Sequence, residues 1–199
     1  MRANEKTRRL TGLALLTAVV VVLQIVASFV RFGPFTITLA LAPILIGAAI
    51  YGPKAGAYLG GVFGLVVLIA CILGWDSGGI VLWTANPLLT AVICLGKGIV
   101  AGWAAGVVYR AVSGRNKSKS RMVAGSVVAG IVSPVVNTGL FVLALTLLFH
   151  DILVSWAGGT ELIYYIIFVL TGINFVLELV INLVISTVIA RIVQAQSHM

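Results

Sequence analysis

Charge is what this sequence has least of. Of its 199 residues only 9% are Asp, Glu, Lys or Arg, against roughly 25% in soluble globular proteins, and 61% are apolar against roughly 45–50%. A water-soluble fold of this size cannot cover its surface with so few charged side chains, so a soluble globular domain is excluded, and so is a disordered chain. Histidine occurs only as His150 and His198, neither of them mid-span. A histidine-based intramembrane protease dyad and bis-histidine haem ligation therefore lack their residues. Cysteine is confined to Cys71 and Cys94, far apart and each inside an apolar run, which excludes a disulfide scaffold and any zinc-type spacing. There is no G-x-x-x-x-G-K-[ST] segment to cradle a nucleotide phosphate. No catalytic residue, cofactor or metal is expected, and the chain reads as a non-enzyme.

What is abundant is hydrocarbon. Six stretches, at about 10–30, 36–51, 55–74, 87–110, 122–149 and 162–190, are apolar over lengths approaching the about 17–25 residues of a membrane-spanning helix. The fold expected is an all-α membrane protein, six transmembrane helices in one compact bundle covering 1–199. A basic segment at 1–9 precedes it, and a cytoplasmic connector at 111–121 contains the run SGRNKSKS. The second span is the shortest, and Pro43 near its middle is expected to kink it. The apolar run at 10–30 is longer than a signal-peptide core, so Val26–Ala27–Ser28 is read as part of a retained span rather than a cleavage site.

Basic residues set the orientation. Arg2, Lys6, Arg8, Arg9, Lys54, Arg110, Arg115, Lys117, Lys119, Arg121 and Arg191 fall on one side, and Arg31 alone on the other, which puts both termini in the cytoplasm. The formal charge of +8 is thus matched to lipid headgroups and not to nucleic acid. Asp76, Asp151 and Glu161 fall in the outer loops.

Small residues recur at helical spacing. Gly56, Gly60 and Gly64 line one face of the third span, and Gly98, Gly102 and Gly106 one face of the fourth. In lipid such ladders pack helices by close backbone approach, and intramolecular packing is expected of both. Ala14 and Ala18 form a third pair on the first span, whose contact is either internal or external.

Ionisable and amide groups inside spans are costly unless they are paired or face a cavity. Lys97 and Glu178 are the two ionisable ones. Thr171, Asn174, Glu178 and Asn182 recur every three or four residues and make one polar stripe; Asn86, Thr90 and Lys97 align on the fourth span; Asn137 and Thr138 follow Ser133 and Pro134 on the fifth. At a rise of about 1.5 Å per residue, Lys97, Asn137 and Asn174 reach similar depth. Two readings follow: Asn86, Thr90, Lys97, Asn137, Thr138, Asn174 and Glu178 bind a small polar molecule, or Lys97 and Glu178 neutralise each other and the amides bind across helices. The outer loops at 74–86 and 150–161 carry Trp75, Trp83 and Trp156, as interfacial anchors or as a lid over the pocket.

In this setting the chain resembles the substrate-binding S components of energy-coupling factor (ECF) transporters, prokaryotic uptake systems for vitamins. The resemblance rests on the span count, the run Ala14–Leu15–Leu16–Thr17–Ala18, the segment Gly33–Pro34–Phe35–Thr36–Ile37–Thr38 and the turn Tyr51–Gly52–Pro53–Lys54–Ala55–Gly56–Ala57. It implies a multi-pass subunit of the cell membrane that captures a vitamin from outside between helices 4 to 6 and the outer loops. It further implies docking on a transmembrane coupling subunit through Ala14 and Ala18, with two ATPase subunits supplying the power. One lysine among several amides suits a small carboxylate such as pantothenate better than a flavin. Riboflavin or folate carriage, and a stand-alone facilitator or channel, are the alternatives.

Overall fold

The computed structural model describes residues 2–29, 38–114, 118–172 and 174–184. Arg31, the segment 33–37, Arg115, Lys117 and Arg191 lie outside the described residues, as does the sixth stretch beyond 184. Among the described residues the secondary structure is helical throughout: α1 (Arg2–Ala27), α2 (Leu41–Tyr51), α3 (Pro53–Ile72), α4 (Ser77–Ala85), α5 (Pro87–Ser113), α6 (Lys119–Leu148), α7 (His150–Ala157) and α8 (Leu162–Tyr164). A π-helix, Tyr165–Thr171, continues α8, and α9 spans Asn174–Val184.

Four helices are long and apolar enough to cross a membrane: Glu5–Ala27 within α1, α3, α5, and Ser120–Leu148 within α6. Counting α7 with Leu162–Thr171 as one broken span makes five. The stretches expected at 36–51 and 162–190 depart from single long helices. The first yields α2, whose 11 residues rise about 16 Å, half the hydrocarbon thickness. Pro43 does not kink it: Pro43 is the third residue of α2, in the first turn, where backbone N–H groups have no intrahelical acceptor to lose. The second carries a π-helix, Tyr165–Thr171, between α8 and α9. Its first part is bent 92° from α7, through Gly158 and Gly159 at φ 56° and 87°, backbone angles that side-chain-bearing residues rarely adopt. The segments at 74–86 and 150–161, expected as loops, are largely the helices α4 and α7.

α3 and α5 are joined by the two glycine ladders. A Cβ on Gly60 would strike the Gly98 carbonyl, one on Gly102 the Gly56 carbonyl, and one on Gly64 the Cys94 carbonyl. The ladders face each other, as expected of small residues in lipid, where close backbone contact replaces the missing hydrophobic drive. Around this pair sit three apolar clusters. Val20, Leu41, Ile44, Leu59 and Phe63 join α1 to α2 and α3. Leu45, Ala105, Tyr109 and Met122 join α2, α5 and α6. Leu82, Ile93, Leu145, Phe149, Leu153 and Leu170 gather α4 to α7 and the π-helix.

The turn Tyr51–Gly52–Pro53–Lys54 is fastened from two sides. Arg9 Nη2 donates to the Tyr51 carbonyl at 3.5 Å, and the Arg110 guanidinium fills the space where a Cβ on Gly52 would lie. Gly52 itself has φ 96°, which favours glycine at the junction.

Candidate ligand-binding site

The polar residues of the spans converge. One cavity is bounded by α3 (Cys71), α4 (Gly79, Leu82), α5 (Thr90, Cys94, Lys97), α6 (Asn137, Thr138, Phe141), Thr171 at the end of the π-helix, and α9 (Asn174, Glu178). Gln24 of α1 and Thr38 complete it. Six of the seven residues anticipated from sequence line this space. Asn86 does not. It is the N-cap of α5, where its side chain accepts from the Leu89 N–H at 3.1 Å, and it borders a separate outer pocket with His150 and Asp151. Asn182 lies one turn beyond Glu178, buried, with its Nδ2 donating to the Glu178 carbonyl at 2.8 Å.

The two intramembrane ions face one cavity without closing on each other: no Lys97–Glu178 ion pair shorter than 4.0 Å forms. The Lys97 ammonium instead lies 4.6 Å from the centre of the Phe141 ring and 6.0 Å from that of Phe63, where the negative ring faces stabilise it. The Glu178 carboxylate is buried and accepts from Thr138 Oγ1 at 3.5 Å and from the hydroxyl and N–H of Thr38. Two buried acceptors of the cavity wall, Gln24 Oε1 and Asn137 Oδ1, have no hydrogen-bond partner among the described residues. Most buried amides in native structures are satisfied, and leaving one bare costs about 1–3 kcal/mol.

Trp75, Trp83 and Trp156 do not line the cavity. Trp75 packs on Phe29 with ring centres 5.6 Å apart, and Trp156 packs on the cluster around Leu153. α4, which borders the cavity through Gly79 and Leu82, is started by buried Asp76, whose carboxylate accepts from the Gly79 N–H at 2.7 Å. Asp76 also borders the cavity, so the residue read as an outer-loop acid is part of the cavity wall. Gln24 was findable as a lone amide in an apolar span. Phe141 carried no such signal, because an aromatic residue on an apolar helix is ordinary. Cys71 and Cys94, which showed no chemistry in sequence, are free thiols of the cavity wall. Among the described residues, no group of three His, Cys, Asp or Glu side chains is placed to hold a metal.

Away from the cavity, Ala14 and Ala18 are exposed on α1, alongside Leu15, Val22 and Val26.

No curated protein matches the chain. A model of one family, "ECF transporter, substrate-specific component", matches residues 8–190, nearly the whole length, and with several apolar helices around one polar cavity the chain belongs to that family: it is the substrate-specific subunit of an ECF importer in a multi-pass membrane fold.

Proposed function

We propose that this subunit binds a small water-soluble vitamin bearing a carboxylate, pantothenate being the best-fitting example, in the cavity between α3, α5, α6 and α9. The observation that carries the reading is the pairing of an unneutralised Lys97 with the bare amide oxygens of Gln24 and Asn137. The ammonium suits a carboxylate, and the amide oxygens suit hydroxyl or amide donors. Thr90, Thr138, Asn174 and Glu178 complete the contact set, and α4 serves as the lid.

In the membrane the chain forms one domain of six crossings with both ends cytoplasmic; the stretches 36–51 and 162–190, which contain α2 and α8 through α9, supply the second and sixth. Ala14 and Ala18 dock on the transmembrane coupling subunit of a prokaryotic plasma-membrane importer, and two ATPase subunits drive transport. Their exposure on α1 supports this. Mass spectrometry of small molecules released from gently purified protein tests the substrate class. A carboxylate-bearing vitamin lost from Lys97→Met protein is the expected result, and a neutral solute retained by that variant refutes it.

A further inference from the structure

The polar cavity is small for the task assigned to it. Its volume is ≈ 70 Å³, whereas pockets that bury a drug-sized ligand run to roughly 300–1,000 Å³. Directly beside it, between α6 and the π-helix with α9, lies an open apolar groove of ≈ 1040 Å³. Three residues, Thr138, Thr171 and Phe175, belong to both walls. Both threonine hydroxyls are engaged within the protein, Thr138 on Glu178 at 3.5 Å and Thr171 on the Ile166 carbonyl at 2.7 Å. The boundary between the two spaces is therefore one side chain thick, with its hydroxyls turned to protein acceptors.

Gly139 marks the groove as open by construction. It stands on α6 with no atom within 4 Å of the position a Cβ would take, as Gly96 does on α5, whereas Gly56, Gly60, Gly64, Gly98, Gly102 and Gly106 are in backbone contact. A helical glycine costs roughly 0.5–1 kcal/mol relative to alanine. Here that cost keeps space beside the ligand cavity and packs no helix.

We propose that this groove is the second compartment of the ligand site, so that the substrate is amphipathic, with its carboxylate end at Lys97 and Asn137 and an apolar arm passing between Thr138, Thr171 and Phe175 to lie along Gly139 and Val142. The inference rests on the carboxylate reading above and narrows its substrate class.

The test uses N-acyl-β-alanines, acetyl through hexanoyl, titrated onto the purified protein in lipid nanodiscs by calorimetry. Wild-type affinity is expected to rise about fourfold per added methylene. Gly139→Leu, whose side chain enters empty space, and Val142→Phe, one turn on, are expected to flatten that rise while leaving acetyl-β-alanine affinity within twofold. A flat wild-type series that still depends on Lys97, judged by Lys97→Met, overturns the arm compartment and leaves the carboxylate site standing. A rise that persists undiminished in both groove variants also overturns it. If no member binds, or Lys97→Met binds the series as well as wild type, the carboxylate reading falls and the inference with it. A phospholipid that copurifies with wild type and is displaced by Gly139→Leu, together with a flat series, assigns the groove to lipid and overturns the proposal.

Discussion

Lys97 and Phe141 meet across the α5–α6 interface, the ammonium 4.6 Å from the ring centre. The ring face holds a cation inside the membrane without consuming its N–H donors, so Lys97 is stabilised and still available to an anion. A carboxylate partner at the same place would have satisfied the charge and closed the site.

Replacing Lys97 by Met is expected to weaken binding of a carboxylate ligand about tenfold to hundredfold, the range of a charge-assisted hydrogen bond. Phe141→Leu removes only the ring face and is expected to cost about two- to tenfold. Calorimetry with the molecule released from the purified protein measures both, and equal affinities in all three proteins would reduce Lys97 to a packing residue.

Gly98→Ala places a methyl group against the Gly60 carbonyl and is expected to destabilise the bundle by about 1–3 kcal/mol. Gly96→Ala, on the same helix with open space at its Cβ position, is expected to be neutral or stabilising by up to about 1 kcal/mol. Thermal melting in detergent compares them, and similar midpoints would deny that α3 and α5 are joined backbone to backbone.

Asp76 starts α4 through its bond to the Gly79 N–H. Asp76→Ala removes the cap, worth about 1 kcal/mol, and is expected to speed ligand release about fivefold as α4 opens more often. Asp76→Asn keeps a capping oxygen and is expected to restore the slow rate. Stopped-flow dissociation reads the difference; an unchanged rate in Asp76→Ala would remove α4 from the role of cover.

Ala14→Trp and Ala18→Trp enlarge an exposed face of α1 without touching the cavity. Ligand affinity is expected to stay within twofold while vitamin uptake by cells carrying the complete importer is abolished. Normal uptake with both substitutions in place would put the coupling contact elsewhere.

Much of the site was legible because polar atoms in hydrocarbon are too expensive to be incidental. Thr90, Lys97, Asn137, Thr138, Asn174 and Glu178 stood out by that cost alone, and helical spacing placed them on inward faces. Asn86 failed the same logic for a local reason: an asparagine just before a proline-led helix caps that helix, and its side chain is spent there. Phe141 and α4 were illegible, since neither an aromatic residue in a span nor a glycine-rich apolar segment after a turn announces what it covers. The π-helix of the last stretch also left no periodic trace. Thr171 sits where the π-helix ends, and its bond to the carbonyl five residues back at Ile166 is a feature of that wider turn, visible only in three dimensions.

The glycine ladders divide labour within the subunit. With main chain pressed on main chain, α3 and α5 tolerate almost no change in spacing, so they act as a fixed plinth. α6 and α9 meet through side chains around an open groove, where exchanging one residue for another alters volume without unseating a neighbour. A lineage adapting to a different ligand has its freedom on that side of the molecule, while the plinth can persist unaltered.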